Sequence, residues 1–395
     1  MSNAYWVSIA PWLPSGYGQQ TMLQTQQIAQ DHNVRIGAIS GLQGSPQPWQ
    51  PPGGELIEVW QVRDSLDFIE QYVHFRADFA IALFDLWAEG DEAPDLFKYI
   101  NQAPVRLACW MPVDCEPLSK PDLFKLRGLG DCVTPIAMSR HGMRMLRNEG
   151  FKPLYVPHSI DTELFKPMDD LKEARLKLGL DPDEFIIGIN AFNSIRKAWG
   201  EQLSAFALFH SRHPNSRLLI HSVEQRSADD GVNLLFLIDE LGLRDCVGFT
   251  DQFSYRQSLI GPQFLVKWYN ALSVLSLASI GEGFGIPLIE AQACGVPVIT
   301  TRTAAQVELA PHGWLIDGQS YWNAYLSAWH RIPNVARIDE AYEEAYQEWR
   351  SAETDRGVTQ WRARQQGVRL FAQRYDIRNI YDKFWKPALA QLGAK

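Results

Sequence analysis

The chain has 395 residues, 46% of them apolar and 21% charged, with no low-complexity run, which excludes a disordered or fibrous protein and favours two domains over one core. Its 37 basic and 46 acidic residues leave a net charge of −9. That balance disfavours a surface that embraces nucleic acid on all sides, while permitting a local basic face. No apolar stretch approaches the roughly 20 residues that span a bilayer. The opening MSNAYWVSIAPW also lacks the basic start and long apolar segment of a secretory signal, so a cytoplasmic location is expected. Cys109, Cys115, Cys132, Cys246 and Cys294 are scattered, odd in number and without a CxxC pair. Small buried thiols are expected, not disulfides or a zinc site.

Apolar strands alternate with amphipathic helices from the start of the chain. Strands are predicted at 6–10, 34–39, 56–62, 79–84, 105–110, 134–138 and 154–156, with helices at 21–30, 65–76 and 140–149. Such runs, rich in β-branched and aromatic residues, read as a parallel sheet covered on both faces. A polar stretch at 161–183, with Pro167 and Pro182, interrupts the pattern. Within it, Asp181-Pro-Asp183 is a D-x-D match that reads as turn chemistry, not a metal site. The rhythm then restarts, with strands at 185–189, 217–221, 246–249, 273–277, 297–301 and 314–316. The fold class is α/β, with two doubly wound Rossmann-like domains over 1–165 and 166–375. Sheets of this kind bind ligands at the carboxyl ends of their strands, so the two domains are expected to face each other across a cleft. In the remaining 376–395, Ile377, Ile380, Tyr381, Phe384 and Leu389 recur at helical spacing and predict one docked helix.

Residues 279–301, SIGEGFGIPLIEAQACGVPVITT, carry the most chemistry. They follow a strand, open with a glycine-rich loop and become helical near Pro287, where the missing N–H costs nothing. Gly281, Gly283 and Gly285 let the backbone approach a ligand closely. Free amides at Gly285, Ile286 and Leu288 are expected to point at an anion, a diphosphate above all, aided by the helix dipole. Glu282 in the loop and Glu290 on the helix face the same pocket. A tight strand–helix turn with a capped helix produces the same local pattern.

The full string is more specific. It resembles the family-four retaining glycosyltransferases of the GT-B fold, whose signature E-G-F-G-x-P-x-x-E-A-x-A-C-G-x-P-V-I is matched at every fixed position from Glu282 to Ile299. PHSIDTELFKP at 157–167 is similar to the family's interdomain strand end and linker. SGYGQQT at 15–21, with Gly16 and Gly18, resembles its glycine loop near the donor phosphates, and 371–392 resembles the terminal helix that crosses back onto the first domain. The resemblance implies that Glu290 accepts hydrogen bonds from the nucleotide ribose and that Glu282 holds donor-sugar hydroxyls beside the anomeric carbon. Phe284, Gly285 and Ile286 would frame the sugar and phosphates. Lys197, in NSIRKAWG, matches the phosphate-binding lysine, with Arg196 a weaker match. Paired cations at a helix start are unfavourable without an anion. No metal or other cofactor is implied beyond the nucleotide-sugar donor.

The chain departs from the family in two places. Where relatives commonly carry an arginine ahead of the lysine, 191–193 end in Asn193, which can donate a hydrogen bond but no charge. Where many carry a histidine after the fourth or fifth strand, MPVDCEP offers Asp114, a candidate to contact the donor sugar or orient an acceptor hydroxyl, or else an exposed loop acid. Asp85 stands similarly, and His158 reads as packing. The acceptor is left open. Residues 356–386 interleave Arg356, Arg362, Arg364, Arg369, Arg374, Arg378, Lys383 and Lys386 with aromatic residues, as nucleic-acid grips do. A hydroxylated DNA base such as hydroxymethylcytosine is therefore the leading single acceptor candidate, below the others combined. The acidic 339–355 stretch, with Glu343, Glu344 and Glu348, offers the alternative that the two segments neutralise each other. The rival functions are a non-catalytic nucleotide-sugar binder and a GT-B relative such as an epimerase or phosphorylase.

Overall fold

The computed structural model describes residues 1–44, 46–51, 53–86, 96–226, 231–352 and 354–393. The chain forms two compact units. The first comprises Met1–Ile160, Asn323–Ala328 and Tyr375–Lys395, and the second Asp161–Trp322 and Trp329–Arg374.

The first unit is built on eight strands: β1 (Asn3–Ser8), β2 (Asn33–Ala38), β3 (Gln47–Trp49), β4 (Ile57–Gln61), β5 (Phe79–Leu83), β6 (Leu107–Met111), β7 (Val133–Ala137) and β8 (Leu154–Tyr155). Their order is β3-β4-β2-β1-β5-β6-β7-β8, and every pairing is parallel except β3 with β4. β5 and β6 are buried at every position, because helices cover both faces and leave no side for water. The sequence pattern places β1 too late, at 6–10. The strand starts at Asn3, in register with Asn33, and by Ala10 the chain has turned, its N–H bonding Ser40 O. β3 carries no apolar signal. It is a short edge strand that tolerates Pro48 because its outer side makes no ladder bonds.

Gly16 and Gly18 are expected in a loop, but they occupy the first turn of helix Gly16–Ile28. Ser15 caps this helix and accepts the Gly18 N–H, so that amide is already paired. A Cβ on Gly18 would lie 2.2 Å from Leu13 O. Glycine is thus required for close backbone packing within this turn. The tail is also not one uniform helix. It runs as Ile377–Ile380, a π turn at Tyr381–Trp385, and Lys386–Gly393. Pro387 cannot donate a helical bond and crowds the carbonyl four residues before it, which the wider turn relieves. Within the unit, Trp385 packs at 5.1 Å from Trp110 and 5.9 Å from Trp6. His158 lies 4.4 Å edge-on to Trp110, and its burial lowers its pKa to about 3, so it is a neutral packing group.

The second unit carries β9 (Phe185–Asn190), β10 (Ser216–His221), β11 (Val247–Phe249), β12 (Val274–Leu277), β13 (Val298–Thr301) and β14 (Trp314–Ile316). They form an all-parallel sheet in the order β11-β10-β9-β12-β13-β14. Each lies within a residue or so of its predicted bounds. The pair β15 (Gly318–Asn323) and β16 (Ala328–Pro333) forms a separate two-stranded sheet that no apolar alternation marks in the sequence. Asp181 accepts the Asp183 N–H at 2.9 Å, the geometry of an Asx turn. All five cysteines are free, and Cys132 alone is half-buried.

Three basic residues of the 356–386 stretch are engaged with protein groups. Arg364 makes two 2.7 Å bonds to the Glu348 carboxylate and donates to His312 O at 2.6 Å. Its guanidinium also lies 4.3 Å from the centre of the Trp314 ring. Arg378 holds Asp376 through two 2.8 Å bonds, and Lys386 pairs with Asp382 at 2.8 Å. Glu343 pairs instead with Arg212 and His213. The Arg356 side chain lies outside the described residues. Arg364→Gln is therefore expected to lower stability by on the order of 2 kcal/mol, since it strands a mostly buried carboxylate. Arg362→Gln and Arg369→Gln, both at exposed positions, should stay within about 0.5 kcal/mol. Urea melts check these values, and an electrophoretic shift with duplex DNA at two salt concentrations should show no binding by any of them.

Candidate active site

Each of the two large sheets has a point where the strand order turns about its first strand, and in doubly wound folds that reversal opens a crevice at the carboxyl ends of the two strands beside it. In the second unit the reversal lies between β9 and β12, since the chain leaves β9 towards β10 and β11 and returns to its other side through β12 and β13. The loops that follow β9 and β12 must therefore meet. The first of them carries Arg196 and Lys197, and the second carries Glu282.

Lys197 Nζ donates to Glu282 Oε1 at 2.6 Å, and Arg196 Nη1 lies 3.2 Å from Oε2. Arg196 also bonds Gly281 O, and its own carbonyl accepts the Ile280 N–H at 2.9 Å. Lys197 and Glu282 are both buried. Burial alone would raise the Glu282 pKa, but the Lys197 and Arg196 charges outweigh it and hold the carboxyl at about 2. At neutral pH it is an anion of suppressed basicity, suited to accepting hydrogen bonds and ill-suited to removing a proton. Two cations against one carboxylate leave this trio with a charge of +1.

The loop that presents Lys197 is a 3₁₀ turn, Ile195–Lys197, which passes into helix Trp199–Arg212 through Ala198 at φ 50°. A left-handed alanine is strained, so the turn needs bracing. Gln202 supplies it, donating to Lys197 O at 2.8 Å while its Oε1 accepts from Ser276 Oγ and Ala278 N. The β9 loop is thereby tied to the end of β12. Nothing local in the sequence marks Gln202, because its partners lie 74 and 76 positions away.

Gly285, at φ 110°, caps helix Ile286–Ala293. The expected trio of free amides is corrected here, because the Leu288 N–H bonds Gly285 O at 3.0 Å. Gly285 and Ile286 are the loop-end and first-turn amides, which have no partner within the helix. The helix ends in a double closure, with Gly295 at φ 81° and bonds from Gly295 N to Gln292 O and Val296 N to Ala291 O, the Schellman arrangement. Phe284 is buried and Ile286 half-buried. Glu290 is buried and accepts the Tyr269 hydroxyl at 2.7 Å. Tyr269 in turn accepts Asn190 Nδ2 at 2.7 Å.

Asn193 does not serve as a donor to an anion. Both of its amide protons go to backbone carbonyls, Val223 O at 3.0 Å and Val232 O at 2.8 Å, and its oxygen accepts the Val232 N–H. It is a loop brace.

Gly16, Gly18, Asp85 and Asp114 belong to the first unit, the first three after β1 and β5, the strands that flank its own order reversal, and Asp114 after the next strand, β6. Asp85 accepts the Tyr17 hydroxyl at 2.8 Å. Asp114 is half-buried, and together with Asp85 it adds to burial in raising the pKa of Asp122 to about 7. Asp122 bonds Ser119 Oγ at 2.5 Å, and this S-x-x-D spacing at a helix start was the available signal for it.

Residues 188–332 match the family described as glycosyl transferases group 1. A D-inositol 3-phosphate glycosyltransferase of Corynebacterium jeikeium is 32% identical over 173 residues, 41% of this chain and 39% of that relative. The chain thus aligns with about two fifths of that curated relative's length. Among solved structures, the sucrose-phosphate synthase of Thermosynechococcus elongatus is similar over 100% of both chains, with a TM-score of 0.76 at 18% identity. Anabaena HepE, solved in complex with UDP and glucose, is similar over 99% of this chain and 100% of its own, with a TM-score of 0.71 at 15% identity. These likenesses establish the GT-B fold.

Glu282→Gln leaves Lys197 buried without its counter-charge, so the variant should melt lower than the wild type at pH 7. The difference follows the carboxylate. With a folded pKa of about 2 against an ordinary 4.5, the stabilisation is complete above 4.5 and lost as the pH falls through about 2. Melting curves of the two proteins from pH 7 to pH 2 should therefore converge in that window. A constant offset across it would dismiss the ion pair as their difference.

Proposed function

We propose that the protein is a retaining glycosyltransferase that moves a sugar from a nucleoside-diphosphate sugar to an acceptor hydroxyl, without a metal. The observation that carries this reading is the meeting of Lys197, Arg196 and Glu282 beside the start of helix Ile286–Ala293. The match of 188–332 to a glycosyltransferase family covers the same residues. In the reaction the bond from the anomeric carbon to the diphosphate oxygen breaks, and a bond from that carbon to the acceptor oxygen forms. Negative charge grows on the diphosphate as it leaves. Lys197, Arg196 and the Gly285 and Ile286 amides stabilise it, the kind of preorganised electrostatics that supplies most of such a rate. The fixed charge does the work of a metal ion.

Glu282 holds donor-sugar hydroxyls and faces the positive charge that develops at the anomeric carbon. Its low pKa supports this use over that of a base, and the acceptor proton passes to the departing phosphate oxygen, as attack on the same face of the sugar allows. Glu290 holds the ribose. Asp114 and Asp85, on the first unit, are the candidates to orient the acceptor, which defines the specificity of the enzyme. HepE was solved with UDP and glucose, which makes UDP-glucose the first donor to assay.

Calorimetry with UDP, GDP and ADP should show one of them binding at micromolar to sub-millimolar strength, and Lys197→Ala should weaken it about tenfold or more. Slow donor hydrolysis without acceptor is expected of a transferase. Binding with no turnover against any acceptor would favour a binding protein, and sugar release dependent on inorganic phosphate would indicate a phosphorylase. The acceptor screen should hold polyols, their phosphates and hydroxymethylated DNA.

A further inference from the structure

We infer that Tyr269 is a positioning residue for Glu290, and that the chain Asn190–Tyr269–Glu290 sets how tightly the nucleotide ribose is held. The inference rests on the reading of Glu290 as the ribose ligand. The three side chains come from three elements: Asn190 from the end of β9, Tyr269 from helix Pro262–Ala271 and Glu290 from helix Ile286–Ala293. Tyr269 and Glu290 are buried, Tyr269 completely. Both hydrogen bonds are 2.7 Å.

The direction of the chain follows from the donors. Asn190 presents an N–H to the phenol oxygen, so the single phenol proton points to Glu290 Oε2. Burial, with the Glu290 charge behind it, keeps that proton in place. The phenol therefore always donates, and it holds one carboxylate oxygen and with it the plane of the group. A purely packing role at this position would need the ring, which lies 6.1 Å from Phe165 and 5.2 Å from Trp268, and not the hydroxyl. A hydroxyl aimed at a carboxylate eight residues beyond Glu282 orients that carboxylate. Buried chains of this kind also strengthen one another.

The test uses whichever of UDP, GDP and ADP binds most tightly, together with its 2′,3′-dideoxy counterpart, in calorimetry on the full-length protein. The wild type should prefer the ribose form, and Glu290→Gln should abolish the preference. Tyr269→Phe should weaken the ribose form about three- to tenfold, leave the dideoxy form unchanged, and add nothing in the Glu290→Gln background. Asn190→Ala, which keeps the phenol, should show a smaller loss of the same selectivity, and it serves if Tyr269→Phe does not fold. Equal weakening of both ligands by Tyr269→Phe, or no weakening, overturns the relay while leaving the ribose assignment standing. A wild type indifferent to the ribose hydroxyls overturns the assignment of Glu290 and the relay with it.

Discussion

The second unit is organised around the enclosure of Lys197 and Glu282 within one ion pair. Burying either charge alone would be prohibitive, and the pair is tolerable only with close geometry and additional bonds. The loops after β9 and β12 are shaped to provide both. Ala198 accepts a strained conformation, Gln202 clamps the turn against the strand end, and Arg196 closes over the far carboxylate oxygen while bonding the loop backbone. Each of these features would cost stability without the others. Together they hold a fixed, slightly positive patch beside the first turn of a helix whose dipole has the same sign. Under the proposed function this is where the negative charge of the leaving diphosphate is stabilised.

That arrangement separates two carboxylates that look equivalent in the sequence. Glu282 is surrounded by cations and has lost its basicity. Glu290, eight residues on, is held by a neutral phenol. Under the proposed function one serves the part of a donor where positive charge develops, and the other serves hydroxyls that do not react. The same residue type is set to different tasks by what lies against it, as happens wherever two acids share a site.

Much of this was legible in the sequence, and what was not has a common cause. The strands of both sheets announced themselves because burial on both faces demands unbroken apolar runs, and the glycines and proline of 281–287 mark a backbone with few alternatives. Edge elements escaped, since β3 and β15 face water and carry no apolar period. Polar roles escaped more often. Asn193 looked like an anion donor and is a loop brace, Gly16 and Gly18 looked like a loop and open a helix, and Leu288 closes its own turn. Gln202, Tyr269 and Asp122 went unnoticed because a polar side chain is defined by its partners, and for Gln202 and Tyr269 these lie on other elements of the chain. The basic tail shows the same limit. Its composition suggested a nucleic-acid grip, yet Arg364 is absorbed by Glu348 and Trp314.

The assembly of the first unit from three separated lengths of chain bears on how the protein is made. Trp6 leaves the ribosome before any of the second unit, but its neighbour Trp385 leaves only after all of it. The second unit, being nearly continuous, has its parts to hand early. The first must wait, its sheet formed but its tryptophan cluster open, until residues 375–393 arrive. During synthesis the order of completion therefore runs against the order of the sequence, and the apolar surface that waits longest for cover belongs to the unit whose sheet is made earlier.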